Sequence, residues 1–84
     1  MIVDDEPYNI LALKNMLHII AKEKLEGICD EASNGQQALD LVITNIKENE
    51  KLVMERCDYG LIIIDFNMPI MDGNEATSKI RKVI

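Results

Sequence analysis

The sequence predicts an α/β fold, a parallel sheet with helices on both faces, in a single domain over residues 1–84. Short aliphatic runs alternate with stretches whose apolar residues recur every three or four positions, which is typical of right-handed β-α-β crossovers. Leu61-Ile62-Ile63-Ile64 is the clearest strand, and four consecutive aliphatic residues indicate burial on both faces. With 84 residues, 48% of them hydrophobic, the chain has room for one small core.

The first part of the chain predicts a strand and a helix. Ile2-Val3 is a β-branched pair that ends at Asp4-Asp5, and we expect the beginning of this strand to be missing. Pro7 suits the first turn of a helix. Helical spacing predicts an amphipathic helix over roughly residues 7–23, which Gly27 stops. Its apolar stripe comprises Ile10, Leu13, Leu17 and Ile20, with Met16 beside them.

The middle of the chain predicts a weaker strand and a second helix. The strand is drawn from Ile28-Cys29 and Ala32, with two acids interrupting it. Ser33 and Gln36 have the spacing of a capping box, and an apolar stripe follows, made of Ala38, Leu39, Val42, Ile43 and Ile46. The charged residues 47–58 are either an extension of this helix or a solvated connection.

A third helix completes the predicted order β-α-β-α-β-α. Asp72 is placed to be its N-cap, with Glu75 three residues later. We expect Ala76, Ile80 and Val83 to face the core, because they share one side of such a helix.

The composition argues against several function classes. A net charge of −6 disfavours nucleic-acid backbones and anionic lipid, and no apolar run reaches the roughly 18 residues of a membrane span. Two cysteines, Cys29 and Cys57, fit a reducing compartment rather than a disulfide framework. We therefore expect a cytoplasmic location.

Acidic residues end two of the predicted strands. Asp4 and Asp5 follow the first strand, and Asp65 follows the third. Ligands of open α/β sheets bind outside the carboxyl ends of strands, where the winding direction reverses. If strands one and three are neighbours, as in a 2-1-3 order, the three carboxylates converge. Like charges at close range need a counter-charge, and Mg²⁺ fits oxygen ligands best.

A magnesium-bound carboxylate site suggests phosphoryl transfer. A carboxylate beside Mg²⁺ can attack a phosphoryl group in line and form an aspartyl phosphate. Asp65 is the candidate nucleophile, because it ends a rigid buried strand. Asp4 and Asp5 are the candidate metal-holding pair.

The residues after Asp65 predict a loop that leaves the strand on a set path. Pro69 fixes its own φ and holds Met68 extended, and Gly73 completes a turn that lets the next helix begin. Such a loop could present the backbone carbonyl of Asn67 to the metal.

Three motifs together resemble the response-regulator receiver domain of two-component and phosphorelay signalling. They are Asp4-Asp5-Glu6-Pro7, Asn34-Gly35-x-x-Ala38-Leu39 and Asp65-x-x-Met68-Pro69-x-Met71-Asp72-Gly73. They occur in the family's order and span nearly the whole chain. The resemblance implies a flavodoxin-like fold with strand order 2-1-3 here and further strands in the complete domain.

The resemblance also implies roles for individual residues. Asp65 accepts a phosphoryl group from a histidine kinase or histidine phosphotransfer protein. Asp5 and Asp65 ligate Mg²⁺ together with the Asn67 carbonyl, and Asp4 acts through water or hydrogen bonds. Receivers continue through two more strands, which carry a Ser or Thr and a Lys, so we expect a C-terminally truncated receiver from a larger protein. The resemblance extends the expected cytoplasmic location to the cytoplasmic part of a membrane-bound hybrid kinase. Such a domain is a substrate of its kinase and not an enzyme.

Three alternatives compete with this interpretation. A phosphohydrolase with an aspartate nucleophile needs a second Asp where Asn67 stands, and an amide cannot deliver a proton. An EF-hand loop beginning at Asp65 would require Gly where Ile70 stands and Glu where Ala76 stands. The remaining alternative is a degenerate receiver fragment that acts only as a protein-interaction module.

Overall fold

The computed structural model of the chain describes residues 1–21, 29–52 and 57–84. Strands and helices alternate along them as β1 (Ile2–Val3), α1 (Pro7–Ala21), β2 (Glu31–Ala32), α2 (Gly35–Lys51), β3 (Ile63–Ile64) and α3 (Gly73–Val83). β1 pairs in parallel with both other strands, so the sheet has the order β2-β1-β3. The predicted α/β class, parallel pairing and 2-1-3 order are confirmed.

The winding of the chain reverses at β1. The path moves from β1 outward to β2 and then back across β1 to β3. Because β-α-β crossovers are right-handed, this reversal puts α1 on one face of the sheet and α2 on the other. It also makes the gap between β1 and β3 the switch point at which α/β sheets bind ligands.

One hydrophobic cluster fills the space between the sheet and the pair α2 and α3. Its buried members are Met1, Val3, Ala32, Ala38, Val42 and Ile80. Val42 has no exposed surface, and full burial of such a side chain contributes about 1.5–3 kcal/mol. Ile2, which is also fully buried, points to the opposite face because successive strand residues alternate.

The apolar stripe predicted for α1 is only partly buried. Ile10 is buried and Leu13 and Leu17 are half-buried, whereas Ile20 is 73% exposed and Met16 is also exposed. A 15-residue helix is about 22 Å long and runs far past a two-residue strand, so its last turns have little sheet beneath them. The predicted residues 22–23, the stop at Gly27 and the strand residue Ile28 lie outside the described residues.

The β2 strand starts later than predicted. Cys29 precedes it, and the strand consists of Glu31, which is exposed, and Ala32, which is buried. Main-chain bonds from Ile2 N–H to the Asp30 carbonyl and from Asp4 N–H to the Ala32 carbonyl hold it to β1. Acidic residues are accepted here because β2 is at the edge of the sheet, where one side of the strand faces water.

The N-cap of α2 is Asn34, so the prediction of Ser33 was wrong by one residue. The Asn34 side chain accepts the Gln37 N–H at 2.9 Å. Gln37 Oε1 in turn accepts the main-chain N–H of Ser33 at 3.0 Å and its hydroxyl at 2.9 Å. Gln36 donates instead to Asp40. The forward bond of a capping box is present, but the return bond from Gln37 reaches Ser33, the residue before the N-cap, and not the N-cap itself.

Residues 47–51 of the charged stretch belong to α2, as the predicted helix extension requires, whereas residues 57–58 lie in the connection to β3. Residues 53–56 lie outside the described residues.

No helix in the described part of the chain is long and apolar enough to cross a lipid bilayer.

The prediction that β3 is buried on both faces was wrong. The strand is limited to Ile63–Ile64, which are half-buried, and Leu61 is 63% exposed. β3 lies at the edge of the described sheet, so no described strand covers its outer edge and both residues keep exposed surface.

The prediction for α3 was correct except at its end. The Asp72 side chain accepts the Glu75 N–H at 2.8 Å, which confirms the N-cap. Ala76 and Ile80 are buried, but Val83 is 43% exposed, because the last residue of a helix extends past the core it packs on.

Polar contacts hold the connection that leads into β3. Asn45 Oδ1 accepts the Asp58 N–H at 2.7 Å, and Asn45 Nδ2 donates to the Asp58 carboxylate at 3.1 Å. The Tyr59 hydroxyl donates to Asp30. Burial raises the pKa of Tyr59 above its usual value, and the hydrogen bond to Asp30 raises it further.

Stability should therefore fall at alkaline pH as Tyr59 ionises. The unfolded chain releases this proton near pH 10, whereas the folded state holds it more tightly. The stabilisation is complete below that pH and is lost as the pH rises toward the raised pKa. Urea unfolding between neutral pH and about pH 11 should show a smaller decline in Tyr59→Phe than in the wild type. Tyr8→Phe is the matched control, because Tyr8 is 79% exposed; equal declines in Tyr59→Phe and wild type would contradict the assignment.

Candidate functional site

Three carboxylates converge where β1 and β3 end. The Asp65 N–H donates to the Val3 carbonyl at 2.9 Å, which places Asp65 beside Asp4 at the same edge of the sheet. One carboxylate oxygen from each of Asp4, Asp5 and Asp65 lies within 4.8 Å of the others. The structure thus brings together the three acids that the 2-1-3 order predicts to converge, although about sixty positions separate them in the sequence.

The three acids differ in burial and in their contacts. Asp4 is buried, and its Oδ1 accepts the Glu6 N–H at 2.9 Å and lies 3.5 Å from Asn9 Nδ2. Asp65 is half-buried and Asp5 is exposed. Asp4 is therefore held mainly by Glu6, the residue before α1, while Asp5 and Asp65 keep surface exposed to solvent.

The charge of this acidic cluster favours a cation. Three carboxylates at this separation repel one another when ionised, and a bound divalent cation removes that repulsion. Lys14, the nearest base in sequence to Asp4 and Asp5, pairs with Glu31 at 3.6 Å. An all-oxygen donor set with one or two available carboxylates suits Mg²⁺, which keeps several waters and leaves room for a phosphate oxygen.

Gly73 is placed so that α3 can begin directly against Asp65. Its N–H donates to the Phe66 carbonyl at 3.0 Å. A Cβ added at Gly73 would lie 2.3 Å from the Asp65 carbonyl oxygen and 3.0 Å from Ile64 Cγ2. Only glycine fits this contact, so Gly73 holds the path of the chain after the third acid.

Residues 66–71 form the loop between Asp65 and the cap of α3, here called the Asp65 loop. Met68 is half-buried against the hydrophobic cluster, and Pro69 and Asn67 are exposed. The Pro69 carbonyl accepts the Met71 N–H at 2.8 Å. The position of Asn67, two residues beyond Asp65, suits a ligand role for its carbonyl, and that role stays a prediction.

Two residues that shape this loop, Gly35 and Ile70, were given no role by the sequence analysis. The Gly35 N–H donates to the Met71 carbonyl at 3.0 Å, and Met71 is buried. Glycine is a poor helix former. A glycine in the first turn of a helix is therefore a sequence signal that another backbone lies close to it. Ile70 has a φ of 70°, which nothing in its residue type indicates.

Comparison with known proteins places the chain in a signalling family. A family model for the response regulator receiver domain matches residues 1–84. The sensor protein EvgS of Escherichia coli K12 is 39% identical over 98% of this chain, which corresponds to 5% of EvgS. Chemotaxis protein CheY of Halobacterium salinarum is 34% identical over 98% of this chain and 54% of CheY. The osmosensing histidine protein kinase SLN1 of Saccharomyces cerevisiae is 32% identical over 98% of this chain and 6% of SLN1. The chain thus spans about half of CheY and a small part of the other two proteins.

Proposed function

This chain belongs to the response regulator receiver domain family, and from that membership we propose that Asp65 accepts a phosphoryl group from a phosphohistidine of a partner protein. The observation that supports the proposal most is the acidic cluster at the ends of β1 and β3. Asp65 combines a fixed backbone with a half-exposed carboxylate, which is what a nucleophile that meets a bulky donor requires.

The proposed transfer forms one bond and breaks one. A carboxylate oxygen of Asp65 forms the new O–P bond in line with the P–N bond of the phosphohistidine, which breaks. The histidine nitrogen keeps the electron pair and is reprotonated by solvent. Mg²⁺ held by Asp5, Asp65 and the Asn67 carbonyl would offset negative charge on the attacking and transferring oxygens. Asp4, whose Oδ1 accepts the Glu6 N–H, would orient the Mg²⁺ through water or hydrogen bonds.

The donor is proposed to be a histidine kinase or a histidine phosphotransfer protein. In this proposal the chain is phosphorylated by its partner and is not itself an enzyme that turns over a free substrate.

Cys29 and Cys57 are both free, which fits a reducing, cytoplasmic compartment.

Labelling with a small phosphodonor tests the proposal. Acetyl phosphate and Mg²⁺ should leave an acid-stable, base-labile phosphate on the purified protein. The label should require the metal, because uncompensated carboxylates repel the donor. Absence of label with and without Mg²⁺ would contradict the proposal.

A second candidate function is protein interaction without phosphotransfer. It is favoured by the outer side of α1, where Tyr8, Leu11 and Ile19 are exposed, because an apolar face on both sides of a helix often marks a contact surface. An interaction-only module should remain unlabelled by acetyl phosphate, so the same assay separates the two functions.

Magnesium should stabilise the folded protein, and Asp5→Asn should weaken that effect. Ligand binding to the native state contributes about 2.7 kcal/mol when the metal is at 100 times its Kd. Removing one carboxylate from the acidic cluster raises the Kd, so the Tm of Asp5→Asn should rise only at higher Mg²⁺. Differential scanning calorimetry across a Mg²⁺ series measures this shift.

Asp40→Asn is the control for general charge effects. It removes the same charge from an exposed position on α2, outside the acidic cluster. Its Mg²⁺ response should match the wild type. A Tm that is insensitive to Mg²⁺ in the wild type, or an equal loss of response in both variants, would contradict a metal site at Asp5.

A further inference from the structure

We propose that Gly35, at the start of α2, is a positioning residue that sets the path of the Asp65 loop through its contact with Met71. The inference rests on the proposed function of Asp65 and goes beyond it, because Gly35 belongs to a different element and is not a member of the acidic cluster. The loop conformation at Ile70 is the part of the structure that depends on this contact.

The backbones of α2 and the Asp65 loop touch directly at Gly35. Its N–H donates to the Met71 carbonyl at 3.0 Å. A Cβ at position 35 would lie 2.5 Å from that carbonyl oxygen and 2.9 Å from the Cβ of Ala76, which is fully buried. The third neighbour is Met71 Cγ at 3.0 Å. An alanine would therefore have to push Met71 away, because Ala76 lies within the core.

The residue before Met71 shows that the loop is held in a strained conformation. Ile70 has a φ of 70°, which crowds the Cβ of a β-branched residue against its own backbone. Its side chain is 80% exposed, so side-chain packing does not supply the compensating free energy. Backbone hydrogen bonds on either side do so: Met71 N–H to the Pro69 carbonyl, and Gly35 N–H to the Met71 carbonyl.

A shift of Met71 would be transmitted to Asp65 along a short path. Two residues after Met71, the Gly73 N–H donates to the Phe66 carbonyl, and Phe66 directly follows Asp65. The Cα of Gly73 also lies against the Asp65 carbonyl, where no Cβ fits. Displacing Met71 therefore moves the chain on the carboxyl side of the nucleophile, and an error of about 1 Å at a reacting group can lower a rate about 100-fold.

The test is the rate of labelling by acetyl phosphate at saturating Mg²⁺. Gly35→Ala should label about 10- to 100-fold more slowly than the wild type. Gly60→Ala is the matched control, because a Cβ at Gly60 meets nothing within 4 Å, and it should label at the wild-type rate. Melting temperatures of all variants are measured in parallel.

A second substitution separates positioning from loss of stability. Glycine accepts either sign of φ, so Ile70→Gly lets the loop absorb a displaced Met71 carbonyl without moving Phe66. The double variant Gly35→Ala/Ile70→Gly should regain most of the lost labelling rate. The added methyl group at position 35 still meets Ala76 in this double variant, so any loss that comes only from core packing should persist.

Each outcome decides the inference. A Gly35→Ala rate equal to that of Gly60→Ala overturns it, as does a lost rate that Ile70→Gly does not restore. If Gly35→Ala fails to fold, a folded and labelled double variant supports the inference and an unfolded one overturns it. Absence of label on the wild type overturns the proposed function, and this inference with it, and is thus distinguishable from failure of the inference alone.

Discussion

Asp65→Asn should abolish the phosphate that acetyl phosphate and Mg²⁺ leave on this protein. An amide oxygen is a far weaker nucleophile than a carboxylate oxygen, and it cannot form the acyl phosphate bond without expelling its nitrogen. The substitution also removes one of three like charges that lie within 4.8 Å of one another. In metal-free buffer the free energy of unfolding should therefore be no lower than that of the wild type. Labelling and urea unfolding, measured on the same preparation, separate lost chemistry from lost folding.

Asp72→Asn is the matched control for this prediction. Asp72 lies seven residues further along and caps α3 through the Glu75 N–H, and asparagine is about as good an N-cap as aspartate. This variant should keep both the label and the stability. Persistent labelling of Asp65→Asn, or loss of label in Asp72→Asn alone, would show that the phosphoacceptor is another residue.

Gly73→Ala should lower both stability and labelling, against the expectation from helix propensity. Alanine is favoured over glycine in a helix by about 1 kcal/mol. The added Cβ would, however, lie 2.3 Å from the Asp65 carbonyl oxygen, and forcing a methyl group into a filled space costs about 1–3 kcal/mol or more. Because the obstacle is backbone that cannot rotate away, the steric cost should exceed the gain in propensity. The urea midpoint should fall, and the labelling rate should fall with it because Asp65 itself is displaced.

Gly60→Ala is the control for Gly73→Ala as well. Its Cβ would point into open space, so its stability should be equal to that of the wild type or slightly higher, since alanine restricts the unfolded chain. A Gly73→Ala variant as stable as the wild type would mean that α3 can move away from Asp65 without cost.

Much of the fold was predictable because it depends on local patterns. The alternation of elements and the run ending in Ile64 predicted a parallel sheet, whereas its 2-1-3 order was implied by the resemblance to the receiver family. Apart from the N-cap of α2, which was misplaced by one residue, the errors lie where burial depends on neighbours far away in the sequence. Ile20 and Val83 have the spacing of core residues, yet both are exposed because the helices extend past the short sheet.

The candidate site also has a part that could be predicted from the sequence and a part that could not. The convergence of Asp4, Asp5 and Asp65 was predictable once the resemblance placed strands one and three side by side, because acids at the ends of adjacent parallel strands share one edge of the sheet. The contact of Gly35 with Met71 joins two elements 36 positions apart, and a single sequence carries no record of such a contact. The positive φ of Ile70 is likewise not indicated by the preference of its own residue type.

The most direct test of the central claim is a crystal structure of the protein with Mn²⁺ in place of Mg²⁺. The anomalous signal of manganese locates the ion independently of any assumed ligand. We expect one peak between the ends of β1 and β3, in direct contact with carboxylate oxygens of Asp5 and Asp65 and with the Asn67 carbonyl. A peak elsewhere on the protein, or no peak at saturating Mn²⁺, would contradict the claim that these acids share a cation.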